Sequence, residues 1–240
     1  SQVKEHNKFG GVVPELAARA HLENIEYIIK TAFNKSKISI DQIDGVAATA
    51  GPGLIVCLTV GLNIGKSIAA FSDKPFIGVN HLEGHALSPG LINKIQFPYL
   101  LLLISGGHTQ FVIVKDVDKY EQLGTTIDDA LGEAFDKTAR LLGLGYPGGP
   151  KIEQYALDGD KNKFKLPMPL IHEKNSHFSF AGLKSAVANI VVKNRRTEKF
   201  KRDMSASFQE TINKIIFVKT QNAINDFRNS VRAKKNLKIV

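Results

Sequence analysis

From Pro98 to Val114 the chain reads Pro-Tyr-Leu-Leu-Leu-Leu-Ile-Ser-Gly-Gly-His-Thr-Gln-Phe-Val-Ile-Val: two apolar runs, residues 100–104 and 111–114, around Ser105-Gly-Gly-His-Thr109. Apolar runs this short, bounded by turn residues, predict strand, tight turn, strand. The first run does not alternate, which suits a strand covered on both faces. A Gly pair between two buried strands admits positive φ and lets a ligand approach closely, with successive N–H groups aimed at an anion. The turn is therefore a phosphate-cradle candidate. The competing reading is an ordinary hairpin, for which Gly-Gly is a common signal.

The flanking sequence is α/β in pattern. Residues 12–33 place Leu16, Ala20, Ile25, Ile28, Ile29 and Phe33 at helical spacing and predict one amphipathic helix. A strand over 44–50 ends in Gly51-Pro52-Gly53. A helix over 58–71 follows, with small Gly61, Gly65, Ala69 and Ala70 permitting close packing, and then a short buried strand over 76–79. Ligands of such folds usually sit beyond the carboxyl ends of strands.

His81-Leu-Glu-Gly-His85 comes directly after that strand. In a helix over 81–92 the two imidazoles lie one turn apart, a spacing that lets them share a metal. Glu83 lies about 200° round the helix from His81, so the zinc-protease motif, whose glutamate must share the metal's face, is not met. Such a pair is often two unremarkable histidines; its place between strand and glycine hairpin brings the metal reading level.

After the hairpin, residues 120–126 predict a strand and 128–142 a helix with Leu131, Phe135, Ala139 and Leu142 as its apolar stripe. Asp129, Glu133 and Asp136 share a side of that helix, either as a solvated face balanced by Lys137 and Arg140 or as part of an acidic pocket with Asp128. Residues 143–150 form a second glycine loop opening a helix over 151–157, whose N–H groups favour an anion or a ribose edge. Neither loop matches a Walker or Rossmann fingerprint. A long loop (158–178), a helix to about 192, a long helix over 204–229 and a strand opening at 237–240 complete the pattern.

The 240 residues, 43% of them hydrophobic, suffice for one large or two small domains. No apolar run approaches the roughly 20 residues of a membrane span. Cys57 is the only cysteine, which excludes an internal disulfide framework and a Cys-based zinc site and makes the cytoplasm the expected compartment. Lys plus Arg outnumber Asp plus Glu by 32 to 23, a net charge of +9. The excess crowds into Lys193, Arg195, Arg196, Lys199, Lys201 and Arg202, and into Arg228, Arg232, Lys234, Lys235 and Lys238. Such fields attract polyanions, although each cluster also reads as a solvated face.

Seven collinear blocks resemble the tRNA N6-adenosine threonylcarbamoyltransferase (TsaD-like, formerly glycoprotease) family. They are Phe9-Gly-Gly-Val-Val-Pro-Glu-Leu-Ala-Ala-Arg19, Thr49-Ala-Gly-Pro-Gly-Leu54, His81-Leu-Glu-Gly-His85, Ser105-Gly-Gly-His-Thr-Gln110, Asp128-Asp-Ala-Leu-Gly-Glu-Ala-Phe-Asp-Lys137, Tyr146-Pro-Gly-Gly-Pro150 and Phe178-Ser-Phe-Ala-Gly-Leu-Lys184. His108 after the Gly pair resembles the bacterial and organellar branch. The resemblance implies an α/β, actin-like (ASKHA) fold of two RNase-H-like lobes, residues 1–96 and 97–240, incomplete at both termini. A first strand would precede Ser1, and an asparagine loop with an aspartate metal ligand would follow Val240. It also implies transfer of threonylcarbamoyl from threonylcarbamoyl-AMP to the adenosine beside the anticodon in tRNAs reading codons that begin with A. His81 and His85 would hold one divalent metal, iron(2+) in preference to zinc. Leu103, Ile104, Ser105, Gly106 and Gly107 would cradle the phosphate and carbamoyl portion, and Asp136, Gly149 and Glu153 the ribose. Implied partners are tRNA, an actin-like paralogue pairing through helical surfaces in 14–33 and 58–71, and a small ATPase. The alternative is an inactive, truncated module that keeps only its partner surface.

Overall fold

The computed structural model of the protein describes residues 6, 9 and 11–231. The strand opening expected at 237–240 and the basic residues Arg232, Lys234, Lys235 and Lys238 lie outside the described residues. The chain divides into two compact units, Ser1–Ser88 and Pro89–Val240.

The first unit is built on a strand–helix–strand repeat. Helix α1 (Pro14–Ser36) starts with Pro14 in its first turn, where a missing N–H costs nothing, and ends on Lys37 in the left-handed region at φ 57°. Strand β1 (Val46–Gly51) pairs in parallel with β2 (Phe76–Asn80), Val46 opposite Phe76 and Thr49 opposite Val79. Between them runs α2 (Ile55–Ser72), which buries Val60, Gly65 and Ala69. A Cβ on Gly65 would stand 3.1 Å from the Phe76 ring and 3.2 Å from the Ala48 methyl, whereas one on Gly61 would meet nothing within 4 Å. Of the four small residues expected to let α2 pack closely, Gly65 and Ala69 do so; Ala70 is exposed. With 18 residues and a mean hydropathy of 1.5, α2 is long and apolar enough to cross a membrane by length and composition alone, contrary to the expectation from apolar runs. Here Gly65 and Ala69 bring it down onto the parallel pair.

The helix expected over 81–92 is two pieces, α3 (His81–Leu87) and α4 (Pro89–Ile92). Pro89 lacks the N–H that a continuous helix would bond and crowds the turn before it.

The second unit holds the main core. β3 (Tyr99–Ile104), β4 (Thr109–Asp116) and β5 (Lys119–Thr125) form an antiparallel meander, with Ile104 opposite Thr109 across the Ser105–His108 turn. Tyr99, Leu100, Leu101 and Leu103 are all buried, as a non-alternating strand requires. Against this sheet and one another pack α5 (Leu131–Leu142), α6 (Gly148–Ala156), α7 (Ala181–Lys193) and α8 (Glu198–Val231). Phe111 stacks on Phe178 at 5.3 Å and Phe178 on Phe180 at 5.7 Å, while Phe135 meets Phe208 edge-on at 5.1 Å.

Three helix starts differ from expectation for local reasons. α5 begins at Leu131 rather than Asp128, because the Asp128 carboxylate turns away to accept from Phe180 N–H (2.8 Å) and Ser179 Oγ (2.5 Å). α6 begins at Gly148, where Asp136 takes the first N–H at 2.7 Å. α8 begins at Glu198 rather than Met204: Thr197 Oγ1 accepts from Phe200 N–H at 3.2 Å, a side-chain cap that brings the basic stretch into the helix.

The Gly65 contact yields a paired test by urea unfolding. Gly65→Val is expected to destabilise the protein by about 1–3 kcal/mol through overpacking. Gly61→Ala, an unobstructed helix position, is expected to be neutral or to stabilise by up to about 1 kcal/mol.

Candidate metal and adenylate sites

In the first unit, Asn80 ends β2 and caps α3, its Oδ1 accepting from Leu82 N–H (2.9 Å) and Glu83 N–H (3.3 Å). This fixes the turn that carries both candidate ligands. His81 and His85 lie edge to face with ring centroids 4.6 Å apart, and both are exposed. Neutral imidazoles at this spacing fit two positions around zinc or iron. Among the described residues no third His, Cys, Asp or Glu completes a metal-binding group. Asn80 was not singled out in the sequence, although an asparagine just before a helix is a recognisable capping signal.

In the second unit, the Ser105–His108 turn is organised by its own serine. Ser105 Oγ accepts from His108 N–H (3.0 Å) and Gly107 N–H (3.3 Å), and Ser105 N–H donates to His108 O at 2.8 Å. Two of the N–H groups expected to face an anion are thus turned inward. Neither Gly106 nor Gly107 has positive φ, contrary to expectation; among the described residues the positive-φ glycines are Gly51, Gly143 and Gly145. A Cβ on Gly106 or Gly107 would meet nothing within 4 Å, and both are exposed, so the outer side of the turn is open. Leu103 is buried and Ile104 is 46% exposed, so of the five cradle residues Leu103 presents backbone only.

The glycine that the turn does require is Gly132, in the first turn of α5. Its Cβ would fall 2.8 Å from Ser105 O and 2.9 Å from Gly106 Cα, both backbone atoms. Its N–H donates to Ser105 O at 3.3 Å, and Leu131 N–H donates to Thr109 Oγ1 at 2.8 Å. One helical turn later Asp136 reaches the second glycine loop through Gly148 N–H. A Cβ on Gly148 would lie 2.6 Å from Asp136 Cα and 2.7 Å from Phe135 O. The helix therefore touches the first loop at Gly132 and the second at Asp136, positions i and i+4 on one face. Gly149 is open, with nothing within 4 Å of a Cβ, and Glu153 is exposed one turn further along α6. Burial, then the Asp136 charge, hold the Tyr146 phenol above its ordinary pKa.

The remaining acidic residues are occupied within the chain. Lys137 Nζ bridges Asp129 Oδ1 (2.8 Å) and Glu133 Oε1 (2.7 Å), and Lys184 Nζ stands 3.7 Å from Asp129 Oδ2. Hydrogen bonds to Asp129 and then Glu133 raise the Lys137 pKa above the ordinary lysine value. Lys137 thus balances Asp129 and Glu133, but Asp129 is not on a solvated face: its side chain is 15% exposed and its Oδ2 is buried without a hydrogen-bond partner, while Asp136 leaves them for the second loop.

The sequence model described as tRNA N6-adenosine threonylcarbamoyltransferase (TsaD) matches residues 1–238. The chain belongs to this family. Its fold is accordingly α/β of the actin-like (ASKHA) class. It is 57% identical over 240 residues to the tRNA N6-adenosine threonylcarbamoyltransferase of Pelagibacter ubique strain HTCC1062, covering all of this chain and 67% of that protein. Proteins of the same name from Rhizobium leguminosarum bv. trifolii and Brucella suis are 52% and 54% identical, over 90% and 88% of this chain. The chain spans 60% and 59% of their lengths.

Membership in the TsaD family does not alter the local geometry, which makes its own prediction. Gly132→Ala is expected to lower stability by about 1–3 kcal/mol by pushing the turn off α5. Gly106→Ala, with open space, is expected to stay within about 0.5 kcal/mol of the parent. Chemical denaturation monitored by circular dichroism reads both.

Proposed function

We propose that the protein transfers a threonylcarbamoyl group from threonylcarbamoyl-AMP to N6 of the adenosine next to the anticodon in tRNAs reading codons that begin with A. The observation that carries this reading is α5, which holds two glycine loops on one face, Gly132 at the first and Asp136 at the second, in a chain matching the transferase family over residues 1–238. The relatives' names favour the transferase over a partner-binding module that has lost turnover.

In this reading the Gly106 N–H meets the phosphate on the open side of the turn, with Ser105 holding the turn's shape through its side chain and Leu103, Ile104 and Gly107 shaping the cradle by backbone. Asp136 spends Oδ1 on Gly148 and leaves Oδ2 to accept from a ribose hydroxyl; Gly149 admits the sugar, and Glu153 borders it. N6 attacks the carbamoyl carbonyl, a C–N bond forms as the C–O bond to phosphate breaks, N6 gives up one proton to solvent, and AMP departs carrying the negative charge that the turn would bind. His81 and His85 would hold a divalent metal, iron(2+) in preference to zinc, whose chemistry when bound is that of a Lewis acid. The two lobes of this reading, residues 1–96 and 97–240, draw support from the division into two compact units, whose boundary falls eight residues earlier, at Ser88/Pro89. Exposed Tyr27 and Ile28 on α1 support pairing with an actin-like paralogue, with a small ATPase completing the assembly. A single free cysteine, Cys57, suits a cytoplasmic site for the reaction.

Two measurements on the full-length protein test this. His81→Ala and His85→Ala are each expected to lose bound metal and transfer activity, since one imidazole cannot replace two; parental metal content in either variant refutes the ligand assignment. Gly106→Val is expected to fold normally yet bind a non-hydrolysable adenylate at least roughly tenfold more weakly by calorimetry, because its side chain fills the open approach. Unchanged affinity returns the turn to an ordinary hairpin.

A further inference from the structure

The basic stretch at 193–202 acquires a neighbour that the sequence keeps some thirty residues away. The segment 158–165 (Asp-Gly-Asp-Lys-Asn-Lys-Phe-Lys) lies along the first turns of α8. Asp160 N–H donates to Asp203 Oδ1 (2.9 Å), Phe164 N–H to Ser207 Oγ (3.1 Å), and Ser207 Oγ to Asp160 O (3.2 Å). The Phe164 and Phe200 rings meet edge-on at 5.4 Å. Gly159 makes the approach possible, since a Cβ there would stand 2.1 Å from Arg202 O.

The two segments together carry nine lysines and arginines against Asp158, Asp160 and Glu198, which is six of the chain's nine net positive charges. The acids are already committed: Glu198 to Lys201 (2.7 Å), Asp158 to Arg202 (3.8 Å), and Asp160 to Asn162 N–H (2.8 Å). Lys163, Lys165, Lys193, Arg195, Arg196 and Lys199 are exposed and form no ion pair among the described residues. Folding has gathered like charges on one rigid face, which is unfavourable for the isolated chain and is relieved by a regularly spaced polyanion.

We propose that this two-segment face, Lys161, Lys163 and Lys165 with Arg195, Arg196 and Lys199, is a docking surface for the phosphate backbone of RNA. It deepens the reading above, resting on tRNA as the acceptor, and adds where the acceptor is held. Lysines and arginines on a loop and a helix start suit phosphates read without regard to base.

The test uses the full-length protein, an unmodified tRNA transcript, and two variants, one with Lys161, Lys163 and Lys165 each changed to Gln and one with Arg195, Arg196 and Lys199 each changed to Gln. Filter binding across a salt series is expected to show both variants binding at least roughly tenfold more weakly. The slope of log K against log salt should flatten by about 2 to 3, at up to about 0.9 for each lost phosphate contact. Melting temperature and adenylate affinity should match the parent. An unaltered slope in both variants overturns the proposal and assigns the charges to solvent, a protein partner or an anionic membrane. Loss confined to the 195–199 variant overturns the two-segment surface, and a parent with no measurable tRNA affinity overturns it outright. Adenylate and metal binding report on the transfer reading separately.

Discussion

Two backbone-on-backbone approaches at α5 set the geometry of everything around it. Gly132 lies against Ser105 and Gly106, and Gly148 against Phe135 and Asp136, at distances no Cβ tolerates. Each approach is closed by a hydrogen bond, Gly132 N–H to Ser105 O and Gly148 N–H to Asp136 Oδ1. The same helix puts Ala134, Ala139 and Leu142 wholly into the core. A helix seated this firmly cannot slide to accommodate a side chain at either glycine, so the separation of the two loops follows from the packing of the core rather than from the loops themselves.

Polar ties of long sequence separation do similar work on residues 157–180, which form no helix or strand. Asp128 accepts from Ser179, Phe180 and Ala181, and Ser176 donates to Asp226 on α8. Lys219 is fully buried, and its ammonium donates to Glu173 O (3.0 Å), Asn175 O (3.0 Å) and Asn175 Oδ1 (3.3 Å). Burial pulls its pKa below the ordinary lysine value, opposed by Glu173. A charge is tolerated at that depth because its donors are met, and Asn222 Nδ2 shares the same two carbonyls, Glu173 O at 3.2 Å and Asn175 O at 2.9 Å. Thr125 N–H donates to His177 Nδ1 at 3.2 Å, and the segment continues as a bridge between Thr126 and Phe178. A loop of this length stays ordered because its backbone is bound at several points.

Much of this was legible in the residues and some was not, with a physical reason in each case. The meander, the crossover helix α2 and the histidine pair announce themselves through periodicity, since a period of 2 or 3.6 is a property of neighbouring residues. The Gly106-Gly107 turn was found for a partly mistaken reason: positive φ is absent, and the constraint sits at Gly132, which in sequence is an unremarkable glycine near a helix start. Spacing alone makes Asp136 one more charge on an acidic side of the helix, and only the family resemblance sets it apart as a ribose ligand, because nothing local shows that Gly148 will arrive beneath it. Nothing near Lys219 in the sequence marks it for burial, for the same reason; its ammonium is met by residues 173–175, more than forty positions away.

The partition of charge follows from those ties. Asp128, Asp136, Asp160, Asp203 and Asp226 all accept hydrogen bonds from backbone or serine groups, and Asp129 and Glu133 hold Lys137. A carboxylate is well suited to this work, since it accepts several N–H groups at once and strengthens each bond by its charge. Lysine and arginine can only donate, and the backbone acceptors inside a folded unit are already taken by helices and strands. Lys219 is the case where a loop leaves carbonyls over. Several carboxylates are therefore tied to backbone groups of the chain while staying near the surface: Asp128 and Asp160 are exposed, and among the described Asp, Glu, Lys and Arg residues only Asp203 and Lys219 are buried.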